Sequence, residues 1–135
     1  KKQPILRLAQ VTDGTSSTLF VGERPPSSDL WYGWWVAGSG DFPYYGATDV
    51  VLGVRERAYS PDADPDFFRP GELDDPENVH RYHFWSLHPG GGNFLLVDGS
   101  VHFLRYEAAA ELAAPGVTLM EALASRAGDE VAAVP

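Results

Sequence analysis

One stretch in the last third of the chain constrains the fold more than any other: Ser86-Leu-His88-Pro-Gly-Gly91-Gly-Asn93-Phe-Leu-Leu-Val-Asp98-Gly99-Ser100-Val-His-Phe-Leu104. It joins a glycine-rich turn to an apolar run, then an Asp-Gly-Ser turn to a second, alternating run. Residues 89–92 offer backbone angles closed to residues with a Cβ, and Asp98-Gly99 or Gly99-Ser100 suits a two-residue hairpin turn. The pattern predicts a β-hairpin within residues 88–106, with 93–97 paired to 101–106. Alternation then puts Val101, Phe103 and Arg105 on one face and His102, Leu104 and Tyr106 on the other.

The spacing from His88 to Asp98-Gly99, with nine residues between, resembles the C-terminal signature of a family of prepilin-like proteins abundant in planctomycete genomes. Two further blocks carry the same resemblance. Thr12-Asp13-Gly14-Thr15-Ser16-Ser17-Thr18-Leu19-Phe20-Val21-Gly22-Glu23 is similar to the family's Asp-Gly-Thr-Ser-Asn-Thr block ending in Glu, with Ser17 where Asn is usual. Near the end, Ala122-Leu-Ala-Ser-Arg126-Ala-Gly128-Asp129-Glu130-Val131 is similar to its closing Leu-Ala-Thr-Arg-x-Gly-Gly-Glu-Val run, with Asp129 in place of a glycine. The segment 24–80 carries little of the resemblance.

The resemblance implies a subunit made with a type IV prepilin leader, whose hydrophobic N-terminal helix anchors it in a membrane or packs it into a pilus-like filament. Asp13, Gly14, Glu23, His88, Gly91, Asn93, Asp98 and Gly99 are then the structural signature of its head. The sequence in hand opens Lys1-Lys2-Gln3-Pro4 and holds no run approaching the roughly 20 apolar residues that span a bilayer. Membrane contact is therefore expected only through an N-terminal helix lying outside these residues, on a trimmed or partial chain. The implied placement is extracytoplasmic, at a cell surface, with like subunits or other surface proteins as partners.

A chain of 135 residues is expected to be one domain, here a single pilin-like head over 1–135. The absence of cysteine excludes disulfides and leaves the redox compartment open. Ten Lys and Arg against nineteen Asp and Glu give a net charge of -9, which repels nucleic-acid phosphates and anionic lipid surfaces. Nucleic-acid binding is set aside on that ground. The acid excess concentrates in residues 60–79, where four prolines accompany it, and this segment reads as a variable surface loop.

Within that loop Asp62-Ala-Asp64-Pro-Asp66 places carboxylates at alternate positions, as hard-cation loops do, which makes calcium the candidate cofactor. An EF-hand is excluded, because Phe67 stands where its glycine belongs and Leu73 where its bidentate Glu belongs. A solvated acidic loop is the plainer reading. Upstream, the β-propensity around Trp31, Trp34 and Trp35 predicts an aromatic strand that either plugs the core of a small sheet or presents a ligand surface to a glycan.

Four histidines, His80, His83, His88 and His102, lie close in sequence. With Asp98, the first three could make a transition-metal site, although the spacing matches no zinc motif. The alternative has the His88 imidazole bonded to backbone or to Asp98, fixing the hairpin. Catalysis has little support: there is no Gly-x-Ser-x-Gly elbow, cysteine nucleophile, phosphate loop or His-Glu-x-x-His helix. Ser86, His88 and Asp98 include the residue types of a hydrolase triad without its expected geometry.

The remaining elements follow local signals. Residues 5–10 read as a short strand or the tail of a preceding helix, 13–15 as a turn held by Asp13 and Thr15, and 17–22 as a strand. Residues 107–114 read as a helix stopped by Pro115-Gly116. Thr118 and Glu121 have capping-box spacing for a second helix that buries Leu119, Met120 and Leu123, with Gly128 as its stop. The fold expected is α+β, an antiparallel sheet covered by C-terminal helical segments. Two functions follow: a structural or assembly subunit, or an extracellular module binding calcium or a glycan.

Overall fold

The structure is a computed structural model and describes residues 5–26, 54, 68–76, 80, 83–129, 132 and 134. It is an α+β arrangement. A three-stranded antiparallel sheet of β1 (Leu19–Gly22), β2 (Gly91–Leu96) and β3 (Val101–Arg105) runs in the order β1-β2-β3. Then come α1 (Tyr106–Ala110), a small hairpin of β4 (Leu112–Ala114) and β5 (Val117–Thr118), and α2 (Leu119–Ala124). None of the described helices is long and apolar enough to cross a membrane.

The central hairpin forms, in a register set by a different turn from the one expected, with Asn93 opposite Phe103 and Leu95 opposite Val101. Its turn differs from expectation. The strands stop at Leu96 and resume at Val101, Gly99 donates its N–H to the Leu96 carbonyl at 3.0 Å, and Gly99 has φ 91°. Val97 and Asp98 are therefore the central turn residues, and Gly99 takes the left-handed position that follows, as in the longer class of hairpin loop. The pairing also reaches back to Gly91, two residues earlier than expected, because the absent side chain lets β2 lie directly against β3. A Cβ on Gly91 would collide with the Leu104 carbonyl oxygen and lie 2.9 Å from the Arg105 Cα.

Register assigns the two faces. Phe94, Leu96 and Leu104 point inward and are almost wholly buried, while the Val21, Leu95, Val101 row and Phe103 lie on the opposite face, where Val21, Val101 and Phe103 are exposed. The core joins Phe94 and Leu104 to Phe68, Ala109, Met120, Ala122, Leu123 and Ala132. Phe68 meets Phe94 edge-on with centroids 5.0 Å apart and lies 4.4 Å from the Tyr106 ring. This corrects the reading of 60–79 as purely a surface loop, since Phe68 and Asp75 are both buried. An aromatic residue beside an acidic run is drawn in by the apolar area it removes from water.

Three local expectations also change. Residues 5–10 make a 3₁₀ turn at Leu8–Gln10 rather than a strand, closed by the Gln10 side chain accepting the Arg7 N–H at 2.8 Å. The helix expected over 107–114 ends at Ala110, and its remainder becomes β4, because Pro115-Gly116, with Gly116 at φ 76°, folds residues 112–114 back onto 117–118. The strand expected over 17–22 shortens to β1, with Thr15–Ser17 forming a second 3₁₀ turn.

The capping box at Thr118 is present: its Oγ1 accepts the Glu121 N–H at 3.2 Å, and the Glu121 carboxylate accepts the Thr118 N–H at 2.9 Å. Gly128 is not the stop of that helix. It ends at Ala124 with Ser125 extended, and Gly128 serves another contact, described below.

Candidate functional site

The residues of the three sequence blocks meet in the fold, and the contacts between them run through carboxylates and main-chain amides. At Gly22, β1 leaves the sheet and the β2 ladder loses its partner. Glu23 continues it in two ways. Its N–H donates to the Asn93 carbonyl at 3.3 Å, and its Oε1 accepts the Asn93 main-chain N–H at 2.6 Å and the side-chain Nδ2 at 3.3 Å. A half-buried carboxylate thus replaces the missing ladder acceptor, where a buried amide left unpaired would be costly. Gly92 leaves room for it, since a Cβ there would lie 3.2 Å from both Glu23 Oε1 and the Phe68 ring.

Asp13 makes the second junction. Its two carboxylate oxygens accept the N–H groups of Gly128 at 2.9 Å and Asp129 at 3.2 Å, while the Thr12 N–H donates to the Arg126 carbonyl at 2.8 Å. The expected role for Asp13, holding its own turn, is therefore replaced by a long-range one. Gly14, at φ 99°, supplies the positive angle of the turn that lets the chain pass from this junction into β1.

Asp98 is the third carboxylate, and it stays local. Its Oδ1 accepts the Ser100 hydroxyl at 2.6 Å and the Ser100 N–H at 2.8 Å. The Ser100 side chain and amide, with a smaller contribution from the His102 charge, hold the Asp98 carboxyl below its usual range. The tip is also tied to the N-terminal block, because the Asp98 and Val97 N–H groups donate to the carbonyls of Thr15 and Thr18.

His88 is placed by Ser86, whose hydroxyl donates to the Gly91 carbonyl at 2.6 Å and accepts the His88 N–H at 2.9 Å. The imidazole is exposed, stands 3.8 Å from Glu23 Oε2 and lies edge-on to the Phe103 ring at 6.2 Å. The expected bond between His88 and Asp98 is not made. The two residues bracket opposite ends of β2, which rules out that contact and also the Ser86, His88, Asp98 triad.

The histidines do not gather into one metal set. His80 Nδ1 lies 2.9 Å from His83 Nε2, and the buried His83 directs Nδ1 at the Phe84 carbonyl at 3.0 Å, while His102 faces Ser100. A carbonyl only accepts, so His83 Nδ1 carries the hydrogen and His80 donates to its Nε2 in the neutral pair. Among the described residues, no group of three or more His, Asp or Glu side chains is arranged to hold a metal ion. Asp62, Asp64 and Asp66, the calcium candidates, and Trp31, Trp34 and Trp35, the candidate ligand surface, lie outside the described residues.

Ser86, Ser100, Phe68 and Tyr106 are placing residues that sequence reasoning did not single out as such. Tyr106 accepts the Ser86 N–H on its hydroxyl at 3.2 Å, which ties the start of α1 to the turn carrying His88. A serine two residues after an aspartate in a turn was the one readable signal among them.

Comparison with curated proteins and with solved structures gives no match. A family model matches residues 2–111, a span that includes the blocks at 12–23 and 88–99 and ends before the closing block at 122–131. On that match the chain belongs to the family described as "Protein of unknown function (DUF1559)", a family of planctomycete-type pilin-like proteins.

Proposed function

We propose that this chain is the head of a pilin-like structural subunit, displayed outside the cytoplasm on a cell surface or in a filament. The spacing from His88 to Asp98-Gly99 spans β2, and within it Asn93 and Asp98 carry the fold-defining contacts. The observation that carries this reading is the use to which the signature carboxylates are put. Asp13, Glu23 and Asp98 each accept main-chain N–H groups, and two of the three join segments far apart in the chain. Carboxylates used in this way hold the scaffold together. In this reading the head catalyses no reaction on a substrate and has like subunits or other surface proteins as partners. The exposed Phe20, Val21, Val101 and Phe103 add support, since a subunit with neighbours has a use for apolar surface.

The test is intact mass and N-terminal sequencing of the native protein from its own cells. The expected result is a processed, methylated N-terminus followed by about 20 apolar residues. A mature protein with no such run overturns the assembly reading.

A further inference from the structure

The chain contains two Asp-Gly peptides, Asp13-Gly14 and Asp98-Gly99. At such a peptide a protein can rearrange its own backbone, because the glycine amide nitrogen is not hindered by a neighbouring Cβ. That nitrogen attacks the Cγ of the protonated aspartate and a new C–N bond forms. The amide hydrogen and one carboxyl OH leave as water, giving a five-membered succinimide. Water then adds to either carbonyl. One product restores aspartate, and the other routes the chain through the side-chain carbon as isoaspartate, with no net change in mass.

Asp98-Gly99 has the exposure that favours this reaction, yet in the hairpin both reacting groups are engaged elsewhere. The nucleophile is turned away, since the Gly99 N–H donates to the Leu96 carbonyl at 3.0 Å. The electrophile is pinned, since Asp98 Oδ1 accepts both the N–H and the hydroxyl of Ser100. The hydroxyl has one hydrogen and gives it to the carboxylate. His102 Nε2, 3.1 Å from the same Oγ, is then left to donate to it and holds the rotamer. The same hydrogen bonds keep the carboxyl ionised and without a leaving OH.

We propose that Asp98-Gly99 is a latent isoaspartate site that Ser100 holds shut, and that it reacts only when the hairpin tip opens. The inference does not depend on the assembly reading. Asp13-Gly14 is an internal control in the same molecule, because its carboxylate is held by Gly128 and Asp129 and owes nothing to Ser100.

The experiment ages the full chain as wild type, Ser100→Ala and Ser100→Thr, with wild type in denaturant alongside, and maps isoaspartate at both positions by peptide digestion and fragmentation. Isoaspartate at position 98 is expected to accumulate about tenfold faster or more in Ser100→Ala than in wild type, the effect of losing one hydrogen bond to a charged group. Ser100→Thr, which keeps the hydroxyl, should match wild type, and position 13 should age alike in all three. Equal rates at position 98 in wild type and Ser100→Ala overturn the proposal, and so does a parallel rise at both positions, which would report general loosening. Should Ser100→Ala fail to fold, wild type in buffer and in denaturant decides the matter: similar rates at position 98 overturn it, and a strong excess in denaturant together with a wild-type rate in Ser100→Thr supports it.

Discussion

Glu23 accepts its hydrogen bonds from Asn93, 70 residues along the chain, whereas Asp98 takes both of its own from Ser100, two residues on. The acceptor chemistry is the same at the two ends of β2, but the consequences differ. The Asp98 clamp exists as soon as its turn exists and shapes only that turn. The Glu23 clamp can form only after a strand from the N-terminal block has found β2, so it reports and stabilises the long-range topology. A carboxylate that bridges distant segments should therefore matter more to stability than one that satisfies its own neighbours.

The largest expected effect comes from disturbing the sheet that brings Glu23 to Asn93. Gly91→Ala drives a Cβ into the Leu104 carbonyl, and backbone cannot yield as a flexible side chain would. A loss of about 3 kcal/mol is expected, read as a lowered urea midpoint with unchanged slope. A wild-type midpoint would mean that β2 and β3 are not so closely apposed. Next is the clamp itself. Glu23→Ala leaves the Asn93 N–H without its 2.6 Å acceptor and should cost about 2 kcal/mol. Glu23→Gln, which retains a carbonyl oxygen, should cost less. Equal losses in the two variants would show that the negative charge, not the acceptor, is what β2 requires.

The same contrast explains what could be read from sequence. The hairpin, its two faces and the Thr118 capping box rest on interactions within a few residues, and each forms as expected. The Asp98 turn was legible in composition but not in detail, because Asp-Gly-Ser fits several loops and docking on Thr15 and Thr18 helps select one. The contacts of Asp13 with Gly128 and of Glu23 with Asn93 have no local signature. Only the recurrence of those residues in family-like blocks marked them, without saying whom they meet. The helix expected through Ala114 failed for a related reason. Alanine propensity is weak, about a few tenths of a kcal/mol per residue, and a Pro-Gly turn that pairs residues 112–114 with 117–118 outweighs it. The burial of Phe68 was hidden by the acidic residues around it, since charge density describes the surface of a loop and not a side chain that turns inward.

At the local end of the comparison, Asp98→Asn should destabilise less than Glu23→Ala, and its effect should depend on pH. Folding lowers the Asp98 pKa, so the folded chain keeps the carboxylate ionised where the unfolded chain has begun to bind a proton. The stabilisation is complete above the ordinary value of 3.8 and disappears as pH falls through the lower folded value. The wild-type advantage over Asp98→Asn should shrink on acidification below that ordinary value and stay flat near neutrality. An advantage that grows on acidification would reverse the assignment.

The smallest effect is expected at His88, the residue that most suggested a site. Its imidazole is 57% exposed, and its contact with Glu23 is 3.8 Å long. Its position is fixed through its main chain by Ser86, a bond that any side chain at 88 leaves intact. An exposed ion pair of that length contributes little, so His88→Ala should change stability by no more than about 0.5 kcal/mol. Thermal unfolding of His88→Ala and Ser86→Ala side by side makes the point sharply. Ser86→Ala removes both the Gly91 and the His88 main-chain contacts and should fall well below wild type, while His88→Ala should not. If His88→Ala falls as far as Glu23→Ala, the imidazole is part of the long-range clamp, and Glu23 would have to be counted as gripping both the turn before β2 and the strand itself.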